Sequence, residues 1–232
     1  WSSDVCSSDL EWIDGFAVMQ HPFLASKGDI TYMFSSAEFD LTRVRPHLDS
    51  VASPESYLTY TCLRKGSEFD PAKPELDRDR DGRLTYGWKA STDAINAERQ
   101  AQLIQSGHLQ PGEAWLQLRD MISHKQHRVR RGSINWNKYR QKWLLIAQGD
   151  GENHGNVVYA EADSPIGPWA YASVVAHHDN LLYNPVHHDF FDDASHIYFE
   201  GTYTSFWNKA QAKQYYDYNQ LQYRLDLEHD RA

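Results

Sequence analysis

Four segments decide how this chain is read: Arg131–Asn137 (RGSINWN), Lys142–Gln148 (KWLLIAQ), Asn156–Ala162 (NVVYAEA) and Trp169–Ala176 (WAYASVVA). Each is short and rich in aliphatic, β-branched and aromatic residues, as strands are. The joints between them, KYRQ, GDGENHG and DSPIGP, are turn-forming. This is the pattern of an antiparallel meander. Downstream it resumes at Leu182–Phe191 (LYNPVHHDFF), His196–Thr204 (HIYFEGTYT) and Gln220–Leu227 (QLQYRLDL). Upstream, strands are expected at Trp12–Gln20, Asp29–Ser35, Leu41–Pro46, Ser56–Arg64 and Leu84–Lys89.

Helix enters once. Ser91–Gln105 (STDAINAERQAQLIQ) carries strong helix formers with apolar positions Ile95, Leu103 and Ile104, and Gly107 can stop it. Pro111 is expected to open a second short helix through PGEAWLQLRD. The predicted fold is therefore all-β with a small helical insertion at about residues 91–120. On pattern alone two architectures fit. Four-stranded meanders repeated every ~40–50 residues suit propeller blades. A generic antiparallel sandwich carrying the same insertion suits them equally.

Composition narrows the function. Lys and Arg number 23 against 32 Asp and Glu, a formal charge of −9, so the chain is a poor partner for phosphate backbones and no nucleic acid is expected. No run approaches the ~18 apolar residues of a membrane span. The 8 Trp, 14 Tyr and 9 Phe suit β-structure, and also stacking on sugar rings. Neither G-x-S-x-G, G-x-G-x-x-G nor a Walker pattern occurs, which disfavours triad hydrolases and nucleotide enzymes. The opening WSSDVCSSDL has neither the basic nor the apolar region of a signal peptide. Residues 1–10 look like translated sequencing-adaptor read-through from a metagenomic assembly, leaving 11–232 as a single domain. The sequence gives no oligomeric state.

The stretch from Arg131 to Leu227 resembles five-bladed β-propeller glycoside hydrolases of the arabinanase/xylosidase and fructosidase types. The residues that carry the likeness are the GSINWN strand, KYRQKWLLIAQ, VVYAEA running into ADSPIGPW, then YNPVHHDFF and IYFEGTYT. The resemblance implies a partial β-propeller of about three blades, one before the insertion and two after, from an N-terminally truncated product. It implies a carbohydrate substrate, hydrolysis of glycosidic bonds in a poly- or oligosaccharide, no required cofactor, and a secreted or periplasmic location. Two alternatives stand beside it. One is a non-catalytic propeller binding glycans or proteins; the other is a lyase acting on uronic-acid glycans.

Glycosidic hydrolysis needs two carboxyl groups, one to protonate the leaving group and one to activate water or attack. Glu200 is the first candidate acid, because alternation puts it with Tyr198 and Thr202 on one strand face, away from Ile197 and Phe199. The plainer reading is a strand Glu paired with a neighbouring Arg. Glu161 is a second candidate, with a turn-anchoring carboxylate as its alternative. His188 could shuttle protons. Tyr183, Asn184 and His187 on the inner-strand segment, with Asn135 and Trp136, are expected to line a sugar pocket. Arg130 and Arg131 could hold a carboxylated sugar such as a uronate. Trp88 and Trp207 are further candidate sugar platforms. Asp192 and Asp193 read as turn formers. Asp77, Asp79, Asp81 and Gly82 spell the start of a calcium loop, but Trp88 stands where the bidentate Glu belongs. Ca²⁺ could bind there in another loop form; a solvated turn neutralised by Arg78 and Arg80 is the alternative.

Overall fold

The computed structural model describes residues 21–27, 30–35, 38–151, 154–205 and 218–228. The adaptor-like segment, the strand expected at Trp12–Gln20, and Trp207 lie outside them. Thirteen strands are described, in three sheets. The first is a meander of β1 (Phe23–Lys27), β2 (Ile30–Ser35), β3 (Thr42–Val44), β4 (Leu58–Thr61) and β5 (Gly87–Lys89). The second contains β6 (Leu116–Asp120), β7 (Val129–Asn137), β8 (Lys142–Gly149), β9 (Asn156–Ala162) and β10 (Trp169–His177). Its order is β6-β10-β9-β8-β7: an antiparallel meander with β6 added parallel to β10. The third is β11 (Leu181–His187), β12 (His196–Thr204) and β13 (Asn219–Asp226). Helices are few: α1 (Leu48–Val51) and α2 (Ala97–Gln105).

The second sheet is buried on both faces. In β8, Leu144 to Gln148 are all buried, and alternation sends them opposite ways. Leu145 and Ala147 pack with Phe23, Phe34, Phe39 and Leu41 of the first sheet's region. Leu144 and Ile146 pack with Leu182, Ile197, Phe199 and Leu225 of the third. One sheet thus stands between two others, which a two-sheet sandwich does not provide. Among the described residues no sheet closes on itself.

The insertion differs from its expectation. Asn96 caps α2 by accepting the Arg99 N–H at 2.9 Å, so the helix begins six residues later than Ser91. The second expected helix is only a single 3₁₀ turn at Pro111–Glu113. Beyond it, Leu116 and Leu118 are buried while Arg119 is exposed, a period of two, and the segment pairs with the free edge of β10. Gln100 in α2 clamps this strand: its amide donates to the Leu116 carbonyl at 2.7 Å and its carbonyl accepts the Leu116 N–H at 3.3 Å. Helix propensity in EAWLQL yields to an open sheet edge that needs a partner.

Candidate functional site

The edge strands β7 and β11 come from successive sheets and lie against each other, and the polar residues singled out in the sequence meet along that seam. Ser133, Asn135 and Asn137 alternate onto the β7 face that looks at β11. The His187 N–H donates to Ser133 Oγ at 2.8 Å, and Asn135 Nδ2 donates to the His187 carbonyl at 2.9 Å. The His187 ring is fully enclosed, with Nε2 2.8 Å from Asp192 Oδ1, while Asn137 Nδ2 donates to Asp192 Oδ2 at 2.8 Å. Asp192, expected only as a turn former, is a strut between two sheets. Asp193 does close the turn, exchanging backbone bonds with His196.

At the other end of the seam, Arg131 donates to the Tyr183 hydroxyl at 2.6 Å and to Glu38 Oε1 at 2.5 Å. Its guanidinium sits 5.3 Å from the Tyr183 ring centroid. Asn184 follows at φ 55°, a left-handed conformation that Asn tolerates better than most residues. It stands in the bulge between Tyr183 and Val186, with its N–H donating to Gln148 Oε1 at 3.3 Å and its own side-chain carbonyl buried without a partner. Such a strained, orphaned polar group is a common mark of a functional site.

Glu200 lies with Tyr198 and Thr202 on the β12 face opposite Ile197 and Phe199, as alternation predicts; Ile197 and Phe199 are buried against the second sheet. Its carboxylate is 3.1 Å from His188 Nε2 rather than on an arginine. His188 packs against Phe190 and Phe191 at centroid distances of 5.3 and 6.1 Å. The two phenylalanines contact each other at 4.4 Å and are 73% and 53% exposed, an open aromatic platform beside Glu200. His21 joins the groups: its Nδ1 donates to the Gly132 carbonyl at 2.6 Å, and burial, with the charges of Arg131 and His188, holds its pKa below the usual imidazole range.

Other expected residues stand apart. Trp136 is on the opposite β7 face, packed edge-on against Trp143, whose ring in turn meets Phe23. Trp88 is half-buried under the Arg43 guanidinium. Glu161 is held by Arg140 at 2.7 Å and by the Tyr159 hydroxyl at 2.5 Å, the anchoring role. The three loop aspartates go separate ways. Asp77 pairs with Lys89 at 2.7 Å, Asp79 caps its own turn through the N–H groups of Asp81 and Arg83, and Asp81 lies 3.8 Å from Arg83. Among the described residues no three His, Cys, Asp or Glu side chains converge as a metal site.

A cavity of about 450 Å³ opens at the Arg131 end, lined by Arg130, Arg131, Gln148, Asp150, Gly151, His154, Leu181 and Tyr183. It meets a second, of about 590 Å³, at Arg130 and Asp150; Glu38 lines that one.

Sequence reading missed His21, Glu38, Asp40, Gln148 and the Phe190–Phe191 platform. Asp40 sits in the same β2–β3 turn as Glu38. Burial, reinforced by the Glu38 charge and opposed by its own backbone N–H and Arg99, pushes its carboxyl up to about 6. The folded chain therefore holds this proton more tightly than the unfolded one, and stability falls as pH rises from about 4 to about 6. Asp40→Asn is expected to remove that loss, raising stability at neutral pH by about 2–3 kcal/mol and flattening the slope. Urea midpoints from pH 4 to pH 8 would show it; parallel curves for the two proteins would refute it.

No protein-family model matches the chain, and no curated protein matches it. Among solved structures, a "putative hydrolase" from Bacteroides ovatus ATCC 8483 aligns at 12% identity and TM-score 0.45, covering 87% of this chain and 43% of that one. An exo-β-1,3-galactanase from Phanerochaete chrysosporium, solved with β-1,3-galactotriose, aligns at 11% identity and TM-score 0.31, covering 90% and 38%. The chain thus spans less than half the length of each of these two proteins.

Proposed function

We propose that the three sheets are successive blades of a propeller-type scaffold and that the β7–β11 seam opens into a carbohydrate site where a glycosidic bond is hydrolysed. One observation carries the reading. Edge strands of successive sheets bring Arg131, Asn135, Tyr183 and His187 into direct contact, although 52 residues separate Arg131 from Tyr183 and Asn135 from His187. A shared axis produces such a convergence, and clustered polar groups of this kind suit hydroxyl-rich ligands.

Two carboxylates flank the cluster. Glu38 lies on Arg131 and Glu200 lies on His188, and the charges of Arg131 and His188 both reach His21. In the proposed reaction the Glu200 carboxyl gives its proton to the glycosidic oxygen as the bond to the anomeric carbon breaks. Water adds to that carbon and yields a proton to Glu38. Phe190 and Phe191 offer apolar ring faces on which the adjoining sugar stacks.

The test is a panel of plant and microbial polysaccharides, acidic and neutral, incubated with the purified chain and assayed for new reducing ends. At least one polymer is expected to be cut. Binding without cleavage would overturn hydrolysis and leave a glycan-binding protein; neither binding nor cleavage would remove carbohydrate altogether.

A further inference from the structure

Resting on that reading, we infer that the glycan taken at the Arg131 end carries a carboxylate, as a uronate does, and that Arg130 and Arg131 recognise it. The charge balance of the 450 Å³ cavity points this way. The chain as a whole is acidic, at −9. Yet the charged groups on this cavity wall are two arginines and one carboxylate, Asp150, alongside His154. Asp150 is itself matched from outside the cavity, at 3.1 Å from Arg128. Arg131 is balanced by Glu38 on its far side. Arg130 has no ion-pair partner among the described residues, so that among them the wall of this open cavity carries about one positive charge in excess.

The remaining wall suits a sugar acid rather than a bare inorganic anion. Tyr183 presents an aromatic face whose hydroxyl is fixed by Arg131, and Gln148 brings an amide. The volume falls in the range of small-molecule sites. Both arginines line the cavity, and a guanidinium offers parallel N–H donors to the two oxygens of one carboxylate, a geometry a neutral sugar does not reward.

Calorimetric titration of the full chain with tri-galacturonate and with neutral galactotriose tests this. The acidic trimer is expected to bind at least tenfold tighter, and the gap should narrow as salt is raised. Arg130→Gln should cut the preference severalfold while leaving the fold intact, because Arg130 is exposed and holds no ion-pair partner. Arg131→Lys keeps the charge but loses the planar fork, and should weaken the acid specifically. Equal affinity for the two trimers, or a preference untouched by Arg130→Gln, would overturn the inference while leaving the carbohydrate reading standing. Failure of both trimers to bind, together with a blank polysaccharide panel, would instead remove the reading on which it rests. Release of an unsaturated uronate from tri-galacturonate would support the acidic ligand and replace hydrolysis by elimination.

Discussion

Glu200→Gln is expected to lower turnover on the polymer the chain cuts by about three orders of magnitude, about 4 kcal/mol of transition-state stabilisation. The substitution keeps the size of the side chain and a hydrogen-bonding partner for His188 Nε2, now 3.1 Å from the carboxylate, and removes only the transferable proton. Glu200 is on a partly exposed strand face and contributes little to the core, so the melting temperature should barely move. Leaving-group dependence makes the test specific. An aryl glycoside whose phenol departs as a stable anion needs little protonic help, so the variant should lose far less on that substrate than on the polymer. KM should change little in either case, since binding falls to the residues around Arg131 and the phenylalanine platform. Equal losses on both substrates would assign Glu200 to holding His188 in place. Unchanged turnover would take it out of the chemistry, and the Glu38–Asp40 turn would be the next place to look for an acid.

Much of the architecture was legible because it is written in local pattern. KWLLIAQ has no polar alternation, as befits a strand covered on both faces, and the meander from Arg131 onward follows its turn residues nearly to the residue. The Arg131–Tyr183 and Asn135–His187 contacts join positions 52 residues apart, and no local pattern marks either pairing. What stayed hidden depends on partners remote in sequence. Glu38 meets Arg131 across 93 residues, and nothing in AEFDL marks it. FLASK (Phe23–Lys27) is a strand through its pairing with β2, not through any alternation of its own. EAWLQLRD carries helix formers and becomes a strand because β10 has an open edge. In DRDRDG the turn was readable, but the destination of Asp77 on Lys89 was not. Tertiary contacts, absent from any window of neighbouring residues, decided each of these.

Gly132→Ala is expected to be the most damaging single methyl in the molecule's centre. The residue lies at the irregularity of β7 between Val129 and Gly132, paired with Ala147 of β8. A Cβ there would stand 2.2 Å from the Ile146 carbonyl oxygen, 2.9 Å from the Ala147 Cα and 3.0 Å from the Phe39 ring. The two nearest atoms are backbone of the strand with which β7 shares its ladder, so no side-chain rotation relieves the clash. β7 must lift from β8 and lose hydrogen bonds, and Phe39, in the core between the first two sheets, must shift as well. Overpacking alone costs about 1–3 kcal/mol, and a collision with main chain places this site at or above the upper end, about 3 kcal/mol. For a chain of this length that lowers Tm by about 6–12 °C. Gly82→Ala makes the control: no atom lies within 4 Å of its added Cβ, and only its φ of +78° opposes the substitution, for about 1 kcal/mol. Gly132 also ties stability to the site, because its carbonyl accepts the His21 ring and its neighbour is Arg131. A variant that survives folding should therefore bind acidic trimer more weakly even below its melting point. Should Gly132→Ala melt within a degree or two of the parent, the close β7–β8 contact does not exist in solution, and the seam that gathers Arg131, Tyr183 and His21 is placed differently from the arrangement described above.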